Sequence, residues 1–189
     1  TVFKNLGKIT MMGTELRLKI RTSKYGLPDF NITHTFLKSK VKDGILEQYS
    51  FLSNGAAISV EGNSLPYNPE NTLLISAEYS IIKDLLIRLD YKFVDQIYTD
   101  FHNLETTDCN NYCNLGIIGP VPSYSIFNLT LNYNTSKNIN IDMSAKNLTD
   151  QIYIGSRLHS NPGQLDAHKS SGIIPGPRRQ LNIGISYLF

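Results

Sequence analysis

The chain ends with the stretch Asn182-Ile183-Gly184-Ile185-Ser186-Tyr187-Leu188-Phe189, in which polar and apolar residues alternate up to a terminal phenylalanine. Successive side chains of a β-strand point to opposite faces, so both isoleucines and the aromatic residues Tyr187 and Phe189 share one face. The other face carries Asn182, Gly184 and Ser186. An apolar face that ends in aromatic residues fits a lipid-facing wall, and a polar face fits a wet lumen. The stretch therefore predicts the last strand of a transmembrane β-barrel.

The composition of the whole chain agrees with this prediction. Mean hydropathy is −0.20, and 41% of the residues are hydrophobic. The longest apolar runs, such as residues 85–87, are far shorter than the roughly 20 residues that a transmembrane helix needs. The net charge of +2 is small and its basic residues are scattered, which argues against nucleic acid as a partner.

Counting the alternation along the chain gives six strands before the terminal one. The seven predicted strands cover residues 12–21, 30–37, 73–80, 85–93, 127–134, 139–146 and 180–189. A soluble β-sandwich also alternates, so the pattern alone leaves that class open.

The links between the predicted strands alternate in length and favour the membrane barrel. Links 22–28, 82–84 and 135–137 are short, whereas 42–71, 100–122 and 156–176 are long. Outer-membrane barrels have short periplasmic turns and long extracellular loops, and a carboxy terminus in the periplasm puts every short link on the same side. A soluble sandwich gives no reason for this regularity.

Seven strands do not make a complete bacterial barrel, because such barrels have even strand numbers from eight upward. Open sheet edges are not tolerated in lipid, where unpaired backbone groups have no water to bond. The sequence also starts without an export signal. We therefore expect residues 1–189 to be the carboxy-terminal part of a larger barrel.

Three segments resemble the TonB-dependent outer-membrane receptors, most closely those of the ferric-dicitrate and siderophore type. They are GNSLPYNPENT at 62–72, KNLTDQIY at 146–153 and PGPRR at 175–179, and they occur in the family's order. The resemblance implies a 22-stranded barrel with an amino-terminal plug, of which this chain would supply the last seven strands without the plug.

The resemblance also implies a function, which is active import of ferric chelates across the bacterial outer membrane, energised by the TonB complex through the plug. It further implies that Asn182, Gly184, Tyr187 and Phe189 act as the signal read by the barrel-assembly machinery. We expect no cofactor and no resident metal. The alternatives are a passive porin or adhesin-type barrel and a truncated, non-functional receptor remnant.

The predicted extracellular links contain the candidate site residues. Four basic side chains in or beside link 156–176 suit an anionic chelate, since arginine matches carboxylates with two donors; they are Arg157, His159, His168 and Arg178. Ordinary polar rim residues are the alternative. Cys109 and Cys113 lie four residues apart in another link, and in an oxidising compartment we predict a disulfide, with free thiols or a metal site as alternatives.

Catalytic motifs are absent from the sequence. It contains no Ser-His-Asp/Glu order, no HExxH and no phosphate-binding loop, so an outer-membrane hydrolase would have to assemble its site from scattered residues such as Asp100 and His102. We therefore predict that the protein is not an enzyme.

Overall fold

A computed structural model describes residues 7–47, 56–105, 119–135, 138–157 and 172–187. In chain order its strands are β1 (Lys8–Ile20), β2 (Asp29–Asp43), β3 (Ile45–Glu47), β4 (Ala57–Ser59), β5 (Asn71–Ile82), β6 (Leu85–Val94), β7 (Tyr124–Asn134), β8 (Ile139–Lys146), β9 (Ile154–Arg157), β10 (Ile173–Pro175) and β11 (Gln180–Tyr187). Seven of them form one sheet in the order β1-β2-β5-β6-β7-β8-β11, and every pairing in it is antiparallel. The prediction of an all-β, partial barrel of seven strands is confirmed.

The register of the sheet keeps the predicted apolar face continuous from strand to strand. One row crosses four strands and consists of Ile87, Leu131, Met143 and Ile183. The next row consists of Leu89, Leu129, Ala145 and Leu181. Because side chains alternate with period two, a slip of one residue anywhere would have broken both rows. The face assignment made from the sequence is therefore correct on these strands.

The opposite face is polar, and its charges pair with one another. Arg88 Nε donates to Asp90 Oδ1 at 2.8 Å, and Arg88 Nη1 lies 3.4 Å from Glu78 Oε1. Ser76 donates its hydroxyl to the same Asp90 oxygen at 2.5 Å. This face fits the wet interior of a barrel, where such groups find partners and water.

Aromatic side chains stand on the apolar face near both ends of the strands. The set near the ends joined by short links consists of Phe30, Tyr79, Tyr133 and Tyr187, and the set near the ends joined by long links consists of Phe36, Tyr91, Phe93 and Phe127. Two members of the second set, on β6 and β7, have ring centroids 5.0 Å apart. Two aromatic girdles on either side of an aliphatic band are typical of a transmembrane barrel wall.

The apolar face is open to the surroundings. On β11 the side chains of Leu181, Ile183 and Ile185 are 71–73% exposed. Contiguous exposed apolar surface of this kind marks contact with a partner or a membrane, and its position between aromatic rows fits contact with lipid. No helix in the described part of the chain is long and apolar enough to cross a bilayer.

Two strands extend four or more residues beyond one of their predicted ends. β1 begins at Lys8 rather than at residue 12, and β2 continues to Asp43 rather than ending at residue 37. The reason is tertiary: Ser39 and Val41 on the extension of β2 are 1% exposed, covered by the segment that follows Val60. The Val41 N–H donates to Asn63 O at 2.9 Å, and the Gly62 N–H donates to Val41 O at 2.9 Å.

The long links contain short hairpins that the sequence analysis did not predict. β3 pairs with β4 inside the first long link, and β9 pairs with β10 inside the last. Each has only three or four residues per strand, which is too short for alternation to be counted. The three long links all leave the sheet at the same end, which we call the long-link end.

Candidate functional site

Asn147 connects two of the three family-like segments at the long-link end. It directly follows β8 with φ of 49°, and it is 2% exposed. Its Nδ2 donates to Gln151 O at 2.9 Å and to Pro177 O at 3.0 Å, while its Oδ1 accepts from Gln151 N at 2.9 Å. Segment 146–153 is thereby fastened to segment 175–179, which leads into β11.

Asp150 and Arg178 add an ion pair to the same junction. Arg178 Nε donates to Asp150 Oδ1 at 2.9 Å, and Arg178 Nη2 donates to Asp150 Oδ2 at 2.5 Å. The Arg179 backbone N–H donates to Asp150 Oδ1 at 2.9 Å. These contacts hold the pKa of Asp150 well below its usual value, with the Arg178 guanidinium having the larger effect and the Arg179 N–H the smaller. The two-donor geometry that the sequence analysis assigned to a chelate is thus occupied by a carboxylate of the chain itself.

A stacked pair of tyrosines completes the junction. The rings of Tyr124 and Tyr153 have centroids 4.4 Å apart and planes at 24°, and burial raises the pKa of the Tyr153 phenol. Gly176 lies against the Tyr153 ring, and its N–H donates to Tyr153 O at 2.8 Å. A Cβ at Gly176 would overlap three ring carbons of Tyr153. The glycine of the third segment is therefore required by the tyrosine of the second.

Next to the tyrosine pair lies a groove of about 350 Å³. Its lining is mostly apolar and includes Ile152, Ile154, Ile173 and Pro175 together with the two tyrosine rings.

The family-like segment at 62–72 connects the long links to one another. Ser64 and Asn103 exchange two hydrogen bonds of 2.7 and 3.0 Å, which join the first long link to the second. The Tyr67 hydroxyl donates to Arg157 O at 2.7 Å, which joins the first link to the third. Tyr67 reaches this position with φ of 55°.

Arg157 is one of the predicted ligand contacts, and it lies among these links. Its Nε and Nη2 donate to Pro120 O at 3.1 and 3.0 Å. Burial lowers the pKa of its guanidinium, but arginine remains a cation at neutral pH. Arg178, in contrast, donates to Asp150. His159, His168, Cys109, Cys113 and Phe189 lie outside those residues.

A buried Asp100 and a half-buried His102 lie next to each other near Ser64 and Asn103. Asp100 is 8% exposed, and its Oδ1 accepts from His102 N at 2.8 Å. Asp100 Oδ2 and His102 Nε2 are buried without a hydrogen-bond partner in the described part of the chain. No group of three or more potential metal ligands occurs among the described residues. The Asp150 ion pair and the Tyr67 contact could not be predicted from the sequence, since each joins distant parts of the chain.

Comparison with known proteins identifies the family. Residues 1–148 match the family model described as TonB dependent receptor-like, beta-barrel. Over 154 residues the chain is 23% identical to the probable TonB-dependent siderophore receptor PiuA of Acinetobacter baumannii, an alignment that covers 81% of this chain and 18% of PiuA. The chain thus spans less than a fifth of that relative's length.

Solved structures of receptors share the fold. The PiuA crystal structure superposes with a TM-score of 0.67 at 18% identity, covering 95% of this chain and 22% of PiuA. The ferric yersiniabactin uptake receptor FyuA of Yersinia pestis gives 0.65 at 19% identity, covering 96% and 24%. The ferric citrate transporter FecA gives 0.69 at 15% identity, covering 94% and 24%. The family consists of receptors and transporters rather than enzymes. With its family match and its lipid-facing seven-stranded sheet, the chain belongs to the β-barrel part of the TonB-dependent receptors of the Gram-negative outer membrane.

Proposed function

We propose that this chain is the carboxy-terminal wall of a receptor that imports ferric chelates, driven by TonB through a plug that residues 1–189 do not include. One observation carries the proposal: three family-like segments lie at the long-link end, and two of them are bound to each other by Asn147 and by the Asp150–Arg178 pair. Receptors for ferric siderophores and ferric citrate share the surrounding fold.

The proposed chelate is anionic, and its proposed contacts are basic side chains of the last long link. Ferric citrate is the example that the sequence resemblance suggests, because guanidinium groups bind carboxylates well. Arg157, His159, His168 and Arg178 are the candidates. A guanidinium has five N–H donors, of which Asp150 accepts two from Arg178. We therefore expect Asp150 to offset much of the attraction that Arg178 would otherwise exert on an anionic chelate.

The orientation of the wall follows from the same proposal. The short links would face the periplasm and the long-link end would face the outside, as in other barrels of the outer membrane. Lipid would contact the apolar face, and the barrel-assembly machinery would read the terminal signal at Asn182, Gly184, Tyr187 and Phe189. Deleting Phe189 from the complete receptor should then lower the amount of heat-modifiable barrel in the outer membrane. Unchanged amounts would contradict the role of the terminal aromatic residue.

Uptake of radioactive iron tests the transport function. The complete receptor that contains this segment is expressed in cells that lack their own ferric citrate receptor, with and without TonB, and iron is supplied as ferric citrate or as a neutral ferric chelate. We expect uptake that requires TonB and the complete receptor, and none from residues 1–189 alone. TonB-independent leakage of small solutes would favour the porin alternative. If the complete receptor takes up iron from none of the ferric chelates, the result would favour the non-functional remnant.

Arg157→Gln in the same cells tests the chelate contact. We expect the substitution to weaken capture of ferric citrate more than capture of the neutral chelate. This difference should shrink as salt is added, since salt screens the long-range attraction between the receptor and an anionic chelate. Lys24→Gln removes one positive charge from the short link between β1 and β2 and serves as the matched control. Equal losses for both chelates would refute the contact while leaving transport itself intact.

A further inference from the structure

Three lysines occupy alternate positions of β2 near the long-link end. Lys38, Lys40 and Lys42 are exposed, whereas Ser39 and Val41 between them are buried. Alternation places the lysines on the same face as Phe36 and therefore on the apolar, lipid-facing side of the sheet. Strand geometry places the Cα atoms of successive lysines in this set about 7 Å apart. The lipid-facing wall thus changes from apolar to cationic directly above Phe36.

The neighbouring strand completes a groove beside the lysines. Met12 pairs with Lys38, and Thr10 pairs with Lys40. Together with Lys42 these residues line a space of about 270 Å³. Its floor combines a methionine side chain and the methylene stems of the lysines, which suits the boundary between lipid chains and headgroups.

The ammonium groups of these three lysines are not neutralised by carboxylates within the described part of the chain. Arg17, Arg88 and Arg178, by contrast, each pair with an aspartate or glutamate of the chain. Three adjacent, like charges repel one another, so an anion between them would be attracted by all three.

We propose that Lys38, Lys40 and Lys42 form a binding surface for the phosphate groups of an anionic glycolipid in the outer leaflet, with its acyl chains along the apolar face below. The proposal rests on the orientation given under the proposed function, which places the long-link end outside. Continuity with the lipid-facing wall favours a lipid over a soluble anion, because the groove opens toward the bilayer side of the sheet. Basic residues beside a membrane attract anionic lipids strongly.

Binding of lipid A to the complete receptor in detergent tests the surface. The triple variant Lys38→Gln/Lys40→Gln/Lys42→Gln is compared with Lys19→Gln/Lys92→Gln/Lys146→Gln, which removes the same charge from the polar face. Native mass spectrometry measures binding of bisphosphorylated lipid A and of its dephosphorylated form. At about fivefold per lysine, the first triple should bind bisphosphorylated lipid A on the order of 100-fold more weakly, and the second should bind like the parent.

Four further measurements make the result decisive. The variant Lys38→Arg/Lys40→Arg/Lys42→Arg should retain binding, and heat-modifiable migration should show that every variant is folded. If the glutamine triple does not fold, the single variant Lys40→Gln is expected to show its own fivefold loss. Equal affinities of the two glutamine triples, or equal binding of both lipid forms, would overturn the proposal. Displacement of lipid A by millimolar inorganic phosphate would assign the lysines to a soluble anion instead.

Discussion

Gly176→Ala should destabilise the complete receptor, because the new methyl group would occupy the same space as the Tyr153 ring. The three ring carbons that it would meet include Cε1 at 2.6 Å, and the other two would be closer. The ring cannot simply retreat, since its other face is stacked on Tyr124 at 4.4 Å. The φ angle of Gly176 is not in the left-handed region, so the backbone itself accepts alanine.

The expected size follows from these opposing effects. Overpacking a well-packed site costs about 1–3 kcal/mol, and disturbing an aromatic pair costs about 0.5–1.5 kcal/mol. Replacing glycine by alanine at a compatible φ returns about 0.4–1 kcal/mol through the unfolded state. We therefore expect the free energy of unfolding of Gly176→Ala to fall by about 1–3 kcal/mol.

A double-mutant cycle with Tyr153→Ala isolates the contact. Urea titrations of the receptor in lipid vesicles measure the parent, both single variants and the double variant. In the Tyr153→Ala background, Gly176→Ala should cost little, giving a coupling of at least about 1 kcal/mol. Gly184→Ala is the control, since its Cβ would meet Asp142 only at ordinary distances of 3.9 and 4.0 Å. An equal cost of Gly176→Ala in both backgrounds would refute the reasoning.

Three other predictions concern the wall, the junction and the second long link. Leu131→Arg puts a charge on the lipid face and should cost about 2–4 kcal/mol in folding titrations into vesicles, whereas Asn132→Arg, opposite a carboxylate of β8, should cost far less; the reverse ranking would overturn the face assignment. Because the folded-state pKa of Asp150 is lowered, its ion pair should stabilise the receptor fully above its ordinary pKa of 3.8 and progressively less as the pH falls toward the lowered value. Asp150→Asn should therefore reduce the loss of stability between about pH 6 and pH 2, and an unchanged pH profile would argue against it. Cys109 and Cys113 should be bonded to each other in receptor isolated from cells, contributing only about 2 kcal/mol because the loop is small, and peptide mapping that finds both thiols alkylated without reductant would reject the bond.

The sequence was sufficient to predict the strands within the apolar band and the face of each residue. Both follow from period two, which is a local property: Leu131 and Thr130 differ in face because they are adjacent, whatever the rest of the chain does. The alternation of short and long links favoured a membrane barrel over a soluble sandwich. These are features for which local pattern and tertiary structure impose the same requirement.

The features that the sequence did not predict depend on register between distant segments. The extension of β2 to Asp43 exists because segment 60–68 covers Ser39 and Val41. The contact of Arg178 with Asp150 could not be predicted, because the two residues are 28 positions apart in the sequence. Only the pairing of β8 with β11 brings them together. Its role in chelate binding stays a prediction, and its role in joining the two segments is visible in the structure.

The two outer strands of the sheet show why the functional unit is larger than these seven strands. β1 has 13 residues and β11 has 8, and alternate residues of an outer strand direct N–H and C=O groups to the open side. About ten residues would therefore expose unpaired backbone groups to lipid, where each group costs several kcal/mol. The sum is several tens of kcal/mol, well above the roughly 5–15 kcal/mol that keeps a typical domain folded. The apolar face can remain in a bilayer only when further strands pair with β1 and β11, so the wall described here is stable as part of a closed barrel.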